Sequence, residues 1–267
     1  MTVKTEYGCQ LQREELATTT QFICGTEYEI ESIKACTLDG FMSGEKYSDE
    51  VPYWMGDIGV MRDGSLRNGG LEFVTRPVTE ERALELFTTL HDNLSLGKDP
   101  FSARTSTHVH VNVASMTLEQ VRHLTMLYAL LEPVFFVHAQ GREHNIHCVP
   151  LSYTLLPQYY SAGISALIDR WSKYTAFNLL PIVNIGTVEF RHLGGTGDIK
   201  VYQRWLRLLR ELWTFAMHEP VDALYSMLKR GDNPMQIQNV VLPSANDIVI
   251  PSEAYKTTLI DVKLGFV

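Results

Sequence analysis

The sequence predicts an α+β fold, with an antiparallel sheet covered by helices on one face and the other face free to line a cleft. Three observations carry that reading. Polar and apolar residues alternate at Phe22–Ile33, Thr107–Val113 and Ile182–Leu193, with a further strand over Leu71–Thr75, and a period of two marks a half-buried strand. Stretches of helical period stand between these segments and after them. Two turn signals, Asp63-Gly64-Ser65 and Asn68-Gly69-Gly70, flank a short segment just ahead of Leu71, as a hairpin-like pair of strands requires.

The elements follow in order. Residues 1–20 read as a polar leader with little periodicity, and Lys34–Gly56, rich in Gly, Ser, Asp and Pro, as a long loop. Thr79 can cap a helix with an acidic first turn (Glu80, Glu81) and apolar Ala83, Leu84, Leu86, Phe87 and Leu90 at helical spacing. Thr117 and Gln120 fit a capping box for a mostly apolar helix over Leu118–Val137. Pro133 is expected to kink or divide that helix. Gly141–Gln158 reads as a loop rich in His, Arg and Pro. Gly194–Gly197 turns the last strand into a helix that Asp198 can cap, with Ile199, Tyr202, Leu206, Leu209 and Trp213 on one side. A short helix over Val221–Lys229 ends at Gly231, and Pro243–Val267 reads as irregular. No repeat, low-complexity tract or linker interrupts the chain, so residues 1–267 read as one domain.

Composition narrows the function classes. With 267 residues, 45% hydrophobic and 20% charged, the chain is ordinary for a globular protein with a real core. The formal net charge of -8 argues against a dedicated nucleic-acid binder, which needs a basic face. No apolar run is long enough to span a bilayer. The four cysteines, Cys9, Cys24, Cys36 and Cys148, show no C-x-x-C spacing. Scattered in this way, and with no apolar signal segment ahead of them, they point to a reducing, cytoplasmic setting. Asn93-Leu94-Ser95 matches a glycosylation acceptor and reads as chance in that setting.

The chemistry lies in the strands. Glu27, Glu29 and Glu31 share one face, as do His108, His110 and Asn112, and as do Glu189 and Arg191. The intervening Tyr28, Ile30, Val109, Val111, Val113, Val188 and Phe190 belong to the core. Glu72 adds a carboxylate on a fourth strand. If the strands lie in one sheet, a single face carries acids, imidazoles and a guanidinium. The plainer reading is a solvated sheet face. Such faces favour Thr, Lys, Ser and Gln, however, whereas these residues are metal and phosphate ligands. Clustered carboxylates do not stay ionised without cations. Hard divalent ions, Mg²⁺ or Mn²⁺, suit an oxygen-rich set better than zinc does.

The blocks Gly25-Thr26-Glu27-Tyr28-Glu29-Ile30, Asp63-Gly64-Ser65-Leu66 with Gly70-Leu71-Glu72-Phe73-Val74-Thr75, Thr107-His108-Val109-His110-Val111-Asn112 and Thr187-Val188-Glu189-Phe190-Arg191 resemble, in order and approximate spacing, those of the amidoligase family. That family is a branch of the glutamate–cysteine ligase and glutamine synthetase superfamily. The resemblance runs from about Phe22 to Phe215 and leaves 218–267 as an extension without an assigned role. It implies a curved, mainly antiparallel sheet forming an open trough, helices on its outer face, and ATP with Mg²⁺ inside. It also implies that a carboxylate, of a small molecule or a peptide, is phosphorylated by ATP and that an amine attacks the acyl phosphate. Carried over by position, the metal ligands are Glu27, Glu29, Glu72, Glu189 and His108, which matches better than His110, its alternative. Asp63 is a catalytic acid that binds metal or the amine. Arg191 contacts the transferring phosphoryl group, and its planar fork suits that role. Arg142, Tyr174 and Asn178 fall where the family contacts nucleotide or substrate. His144 and His147 read as surface residues. One departure is Ser106-Thr107, where the family usually has a glycine and an apolar residue.

Two other readings remain. A metal-dependent amide hydrolase could open on an H-x-H strand, but the further ligands such sites need are missing after Val113. A degenerate ligase kept as a binding or scaffold module should have lost some of these acids or Arg191, and all are present. The carboxylate, the amine and the oligomeric state stay open.

Overall fold

A computed structural model describes residues 1–42, 47–140 and 142–265. Helix α1 (Val3–Tyr7) precedes β1 (Ile23–Ile30), β2 (Ile33–Cys36), β3 (Tyr53–Met55), β4 (Ile58–Met61), β5 (Leu71–Thr75) and β6 (Val78–Thr79). Then come α2 (Glu80–Asp92), β7 (Leu94–Leu96), β8 (Ser106–Asn112), α3 (Leu118–His138), α4 (Ile164–Ile168), β9 (Phe177–Asn178), α5 (Pro181–Ile185) and β10 (Thr187–Gly194). Helices α6 (Ile199–His218), α7 (Ala223–Arg230), α8 (Pro234–Val241) and α9 (Ala254–Leu264) complete the chain. The fold is α+β, and its strand pairing is mainly antiparallel, as the sequence predicts. The chain forms two compact units, one of residues 23–111 and 193–204, the other of 1–22, 112–192 and 205–267.

In the first unit, strands pair in the order β3, β4, β5, β1, β8. The register sets Tyr28 opposite Phe73 and Thr107, and Glu29 opposite Glu72. The apolar face is sealed, with Tyr28, Phe73, Val109 and Val111 each at most 2% exposed. Phe87 of α2 and Tyr202 close it: the Tyr28 ring meets each at 5.7 Å, and Phe87 stacks on Tyr202 at 4.8 Å. The Tyr202 hydroxyl is shared between Thr26 Oγ1 at 2.7 Å and the Tyr28 hydroxyl at 3.0 Å, so the polar tips of these buried rings are satisfied. Thr79 caps α2 through Arg82 N–H, which donates to its hydroxyl.

In the second unit, α3 is buried along most of its length and packs on α9. The capping box expected at Thr117 and Gln120 forms. Pro133 does not divide α3, which runs on to His138. Just before it, Glu132 is buried and accepts from Tyr128 Oη (2.9 Å), Leu151 N (2.6 Å), Ser152 N (3.2 Å) and Ser152 Oγ (2.9 Å). The three donors from Leu151 and Ser152 tie the 151–152 turn to the helix. A cleft of about 600 Å³ lies beside it, and none of the sequence-predicted site residues is among those that line it.

Several sequence expectations are corrected. Residues 1–20 are not a featureless leader: Thr2 and Thr5 form a capping box on α1, Gly8 ends it at φ 62°, and Val3, Cys9 and Leu16 are buried. The loop expected over 34–56 contains β3 and most of β2; residues 43–46 lie outside the described residues. The first strand does not run to Ile33, because Ser32 takes φ 57° and separates β1 from β2. The strand expected from Ile182 begins at Thr187, since Pro181 starts the helical turn α5 and Gly186, at φ 70°, ends it. Arg142–His144, Leu151–Tyr153 and Leu156–Ala162 form 3₁₀ turns where a plain loop was expected. The stretch from Pro243 is not irregular throughout, because it carries α9.

Candidate metal and catalytic site

The register of β1 against its two neighbours builds a polar face in the first unit. Glu27 lies opposite His108, Gly25 opposite His110, and Glu29 opposite Glu72. Like charges directly across a ladder cost stability, so the Glu29–Glu72 pair is not explained by folding. Much of this face is withdrawn from solvent: Glu29 is 7%, Glu31 1% and His108 4% exposed, while Glu27, Glu72 and His110 are half-buried. That is more burial than a plain solvated sheet face would show.

Asp63 joins from the turn between β4 and β5. Carboxylate oxygens of Glu29, Asp63 and Glu72 lie within 4.8 Å of one another. Burial, followed by Glu27, Glu29 and Asp63, pushes the Glu72 carboxyl up to about 9, against the opposing pull of His110. Burial likewise raises Glu29; His108 and Ser106 oppose the shift, and Asp63 and Glu27 add to it. Three carboxylates this close charge together only around a cation, and an all-oxygen set fits Mg²⁺ or Mn²⁺.

Glu27 is the counterpoint. Burial works to raise it, but His110 and His108 outweigh that and hold its carboxyl well below the ordinary range. Its Oε1 sits 3.1 Å from His110 Nε2 and its Oε2 3.1 Å from His108 Nδ1. The other ring nitrogen of His108 lies 2.7 Å from Ser106 Oγ, which donates to Glu29 Oε2 at 2.5 Å. Ser106 thus bridges Glu29 and His108, and both nitrogens of His108 face protein partners. The sequence marks Ser106 only as a departure from the family pattern, not as a site residue. Its signal was its position, two residues before His108 on the same strand face.

Glu31, just past the end of β1, closes the acidic row differently. Its Oε1 accepts from Arg67 N (2.9 Å) and Nε (3.3 Å), and its Oε2 accepts from Arg67 Nη2 (3.3 Å). Burial pushes this carboxyl up, but the bonds from Arg67 outweigh it and bring it below the ordinary range.

In the second unit, Glu189 of β10 stands opposite Asn178 of β9. Asn178 Nδ2 donates to Glu189 Oε2 at 2.8 Å, and Arg191 Nη1 donates to Glu189 Oε1. Arg191 Nε also donates to the His147 carbonyl at 3.2 Å. Arg191 is therefore held by its neighbours and is 18% exposed. Arg142 is half-buried on its 3₁₀ turn. Tyr174 is 42% exposed, with its ring 5.4 Å from that of His147. His144 and His147 are exposed. Asn112, on the same strand as the histidines, serves the structure instead. Its side chain donates to the Leu16 carbonyl, and its own carbonyl accepts from Trp213 Nε1.

A family model described as "Putative amidoligase enzyme" matches residues 44–213, more than half of the chain. This chain belongs to the amidoligase family. Within the matched span fall Asp63, Glu72, His108, His110, Arg142, Tyr174, Asn178, Glu189 and Arg191; Glu27 and Glu29 precede it. Comparison with curated proteins gives no significant match. Among the described residues, no helix of the amidoligase is long and apolar enough to cross a membrane.

Proposed function

We propose that this amidoligase is an ATP- and Mg²⁺-dependent ligase that joins a carboxylate, of a small molecule or a peptide, to an amine in the cytoplasm. The observation that carries the reading is the Glu29, Asp63 and Glu72 cluster, whose carboxylate oxygens approach within 4.8 Å in a chain of this family. Such a set is stable in its ionised form only with a divalent cation. Mg²⁺-bound ATP would supply the transferable phosphoryl group and neutralise its charge.

The chain's own residues have distinct roles in this scheme. Glu29, Asp63 and Glu72 hold one ion. Glu27 is a second carboxylate ligand, with His110 or His108 beside it. Ser106 fixes the rotamers of Glu29 and His108. In the second unit, Asn178 orients Glu189, a further metal ligand. Arg191 presents its planar fork to the phosphoryl oxygens. Arg142 and Tyr174 are nucleotide or substrate contacts.

The test is ADP release from Mg²⁺–ATP with the purified chain, over a panel of amino acids, peptides and polyamines offered as pairs of carboxylate and amine. The expected result is ADP formation with one class of pair and an amide product of the summed mass less water. Hydrolysis of amides without ATP would instead establish the hydrolase reading.

A further inference from the structure

We infer that Glu31 and Arg67 form a latch that holds Asp63 in the carboxylate cluster, so that both are positioning residues for the metal site. The inference rests on the functional reading above and gives a role to Glu31, which the strand pattern places on the acidic face without assigning it one, and to Arg67, which neither the family motif nor the strand pattern picks out.

The three acids of the cluster are unevenly supported. Glu29 and Glu72 are fixed by strand register, but Asp63 is not in a strand. It sits in the turn 62–70 between β4 and β5. Its carboxylate lies against two other carboxyl groups, and any pair of these that ionises repels at this range. A turn left to itself would relieve the repulsion by moving outward. Something has to hold it.

Within the turn, Ser65 N donates to Asp63 Oδ1 at 2.7 Å, and Gly70 N donates to the Arg67 carbonyl at 2.9 Å. These bonds shape the turn but do not tie it to the sheet. Glu31 does. Its buried carboxylate takes the Arg67 backbone N–H and two guanidinium nitrogens, four residues beyond Asp63. Arg104 Nη1 adds a weaker tie to the Ser65 carbonyl at 3.3 Å. Glu31 is 1% exposed on its side chain and Arg67 56%, so the anchor is rigid and the hook is at the surface. A buried carboxylate needs such partners; beside Ser102, the turn that carries Asp63 supplies them through Arg67.

The sign of the effect separates a latch from plain electrostatics. Arg67 is a cation near a cation site. By Coulomb's law alone, its removal should strengthen metal binding. A latch predicts the reverse.

The experiment uses Mn²⁺ alone, titrated by electron paramagnetic resonance, together with hydrogen exchange of amides 63–70 in the metal-free protein. The variants are Arg67→Ala, Arg67→Lys and Asp63→Asn, singly and as Arg67→Ala in the Asp63→Asn background. Arg67→Ala is expected to speed exchange in the turn and to weaken Mn²⁺ binding by about tenfold, the scale of losing an outer-sphere support. Arg67→Lys should fall between Ala and the parent. In the Asp63→Asn background, Arg67→Ala should change Mn²⁺ affinity less than about twofold, because a latch acts only through the group it holds. Unchanged or tighter Mn²⁺ binding in Arg67→Ala, unchanged exchange, or a full loss that persists without Asp63 would each overturn the latch. If the parent protein binds no Mn²⁺, the functional reading fails, and exchange in the turn still decides whether Arg67 anchors it. Should Arg67→Ala not fold, Arg67→Lys carries the same comparisons.

Discussion

Glu72 is where repulsion in the cluster becomes measurable. Its carboxyl keeps a proton up to about 9 in the folded chain, through burial first and then Glu27, Glu29 and Asp63. In the unfolded chain it ionises near the ordinary value of about 4.3. Between these values the folded state binds more protons, so its contribution to stability falls as pH rises. The metal-free protein should therefore lose melting temperature between about pH 5 and pH 9. Glu72→Gln should flatten that slope and raise the melting temperature at the alkaline end, and Mg²⁺ or Mn²⁺ should reverse the loss in the parent. Glu27, held low by its histidines, has the opposite sign: its contribution fades only as pH drops through the acid range. Scanning calorimetry of parent and Glu72→Gln across pH, with and without metal, checks both signs; a parent slope that Glu72→Gln leaves intact would discard the account.

Arg191 tests the other unit at the same scale. It bonds Glu189 and the His147 carbonyl, so a merely structural arginine would show itself as lost stability. As a phosphoryl contact, Arg191→Ala should cost roughly two to four orders of magnitude in turnover per folded molecule. Arg191→Lys should recover little, because an ammonium lacks the fork. Melting temperature and ADP release on one preparation distinguish the two, and near-normal turnover would refute the assigned role.

At the scale of elements, long patterned segments were legible and short ones were not. β8 and the start of β1 alternate cleanly, so the chain itself shows which side of each strand carries Glu27, Glu29, His108 and His110. α2 and α3 announce their starts through Thr79 and Thr117, and both caps form. β3, β7 and β9 have two or three residues each, too few to display a period, and exist because a neighbour pairs with them. The late start of β10 has one cause. Gly186 ends α5 at φ 70°, and a Cβ there would come within 3.0 Å of Ala114 Cβ and Cys9 Sγ. Gly186→Ala should combine left-handed strain with crowding and destabilise the protein by about 2–4 kcal/mol, with turnover per folded molecule preserved. A thermal melt beside an activity assay shows this, and an unshifted melting temperature would mean the turn is not constrained as described.

At the scale of the whole molecule, the acids and histidines of the candidate site could be picked out because each alternates with core residues within its own strand. What could not be read is anything that depends on residues far apart in sequence. Ser106 meets Glu29 across 77 positions and Arg67 meets Glu31 across 36. No local pattern encodes either pairing, and only strand register and the path of a turn produce them. The division into two compact units was equally hidden, because its borders fall inside or at the ends of β1, β8, β10 and α6, with no linker to mark them. A polyanion such as ATP is repelled by the ionised Glu29, Asp63 and Glu72 cluster unless divalent cations match those carboxylates. The direct test is calorimetric titration of ATP with and without Mg²⁺. The account predicts weak or undetectable binding without the metal and clearly tighter binding with it, the gain lost in Glu72→Gln. Equal affinity in both conditions, or no binding in either, would contradict it.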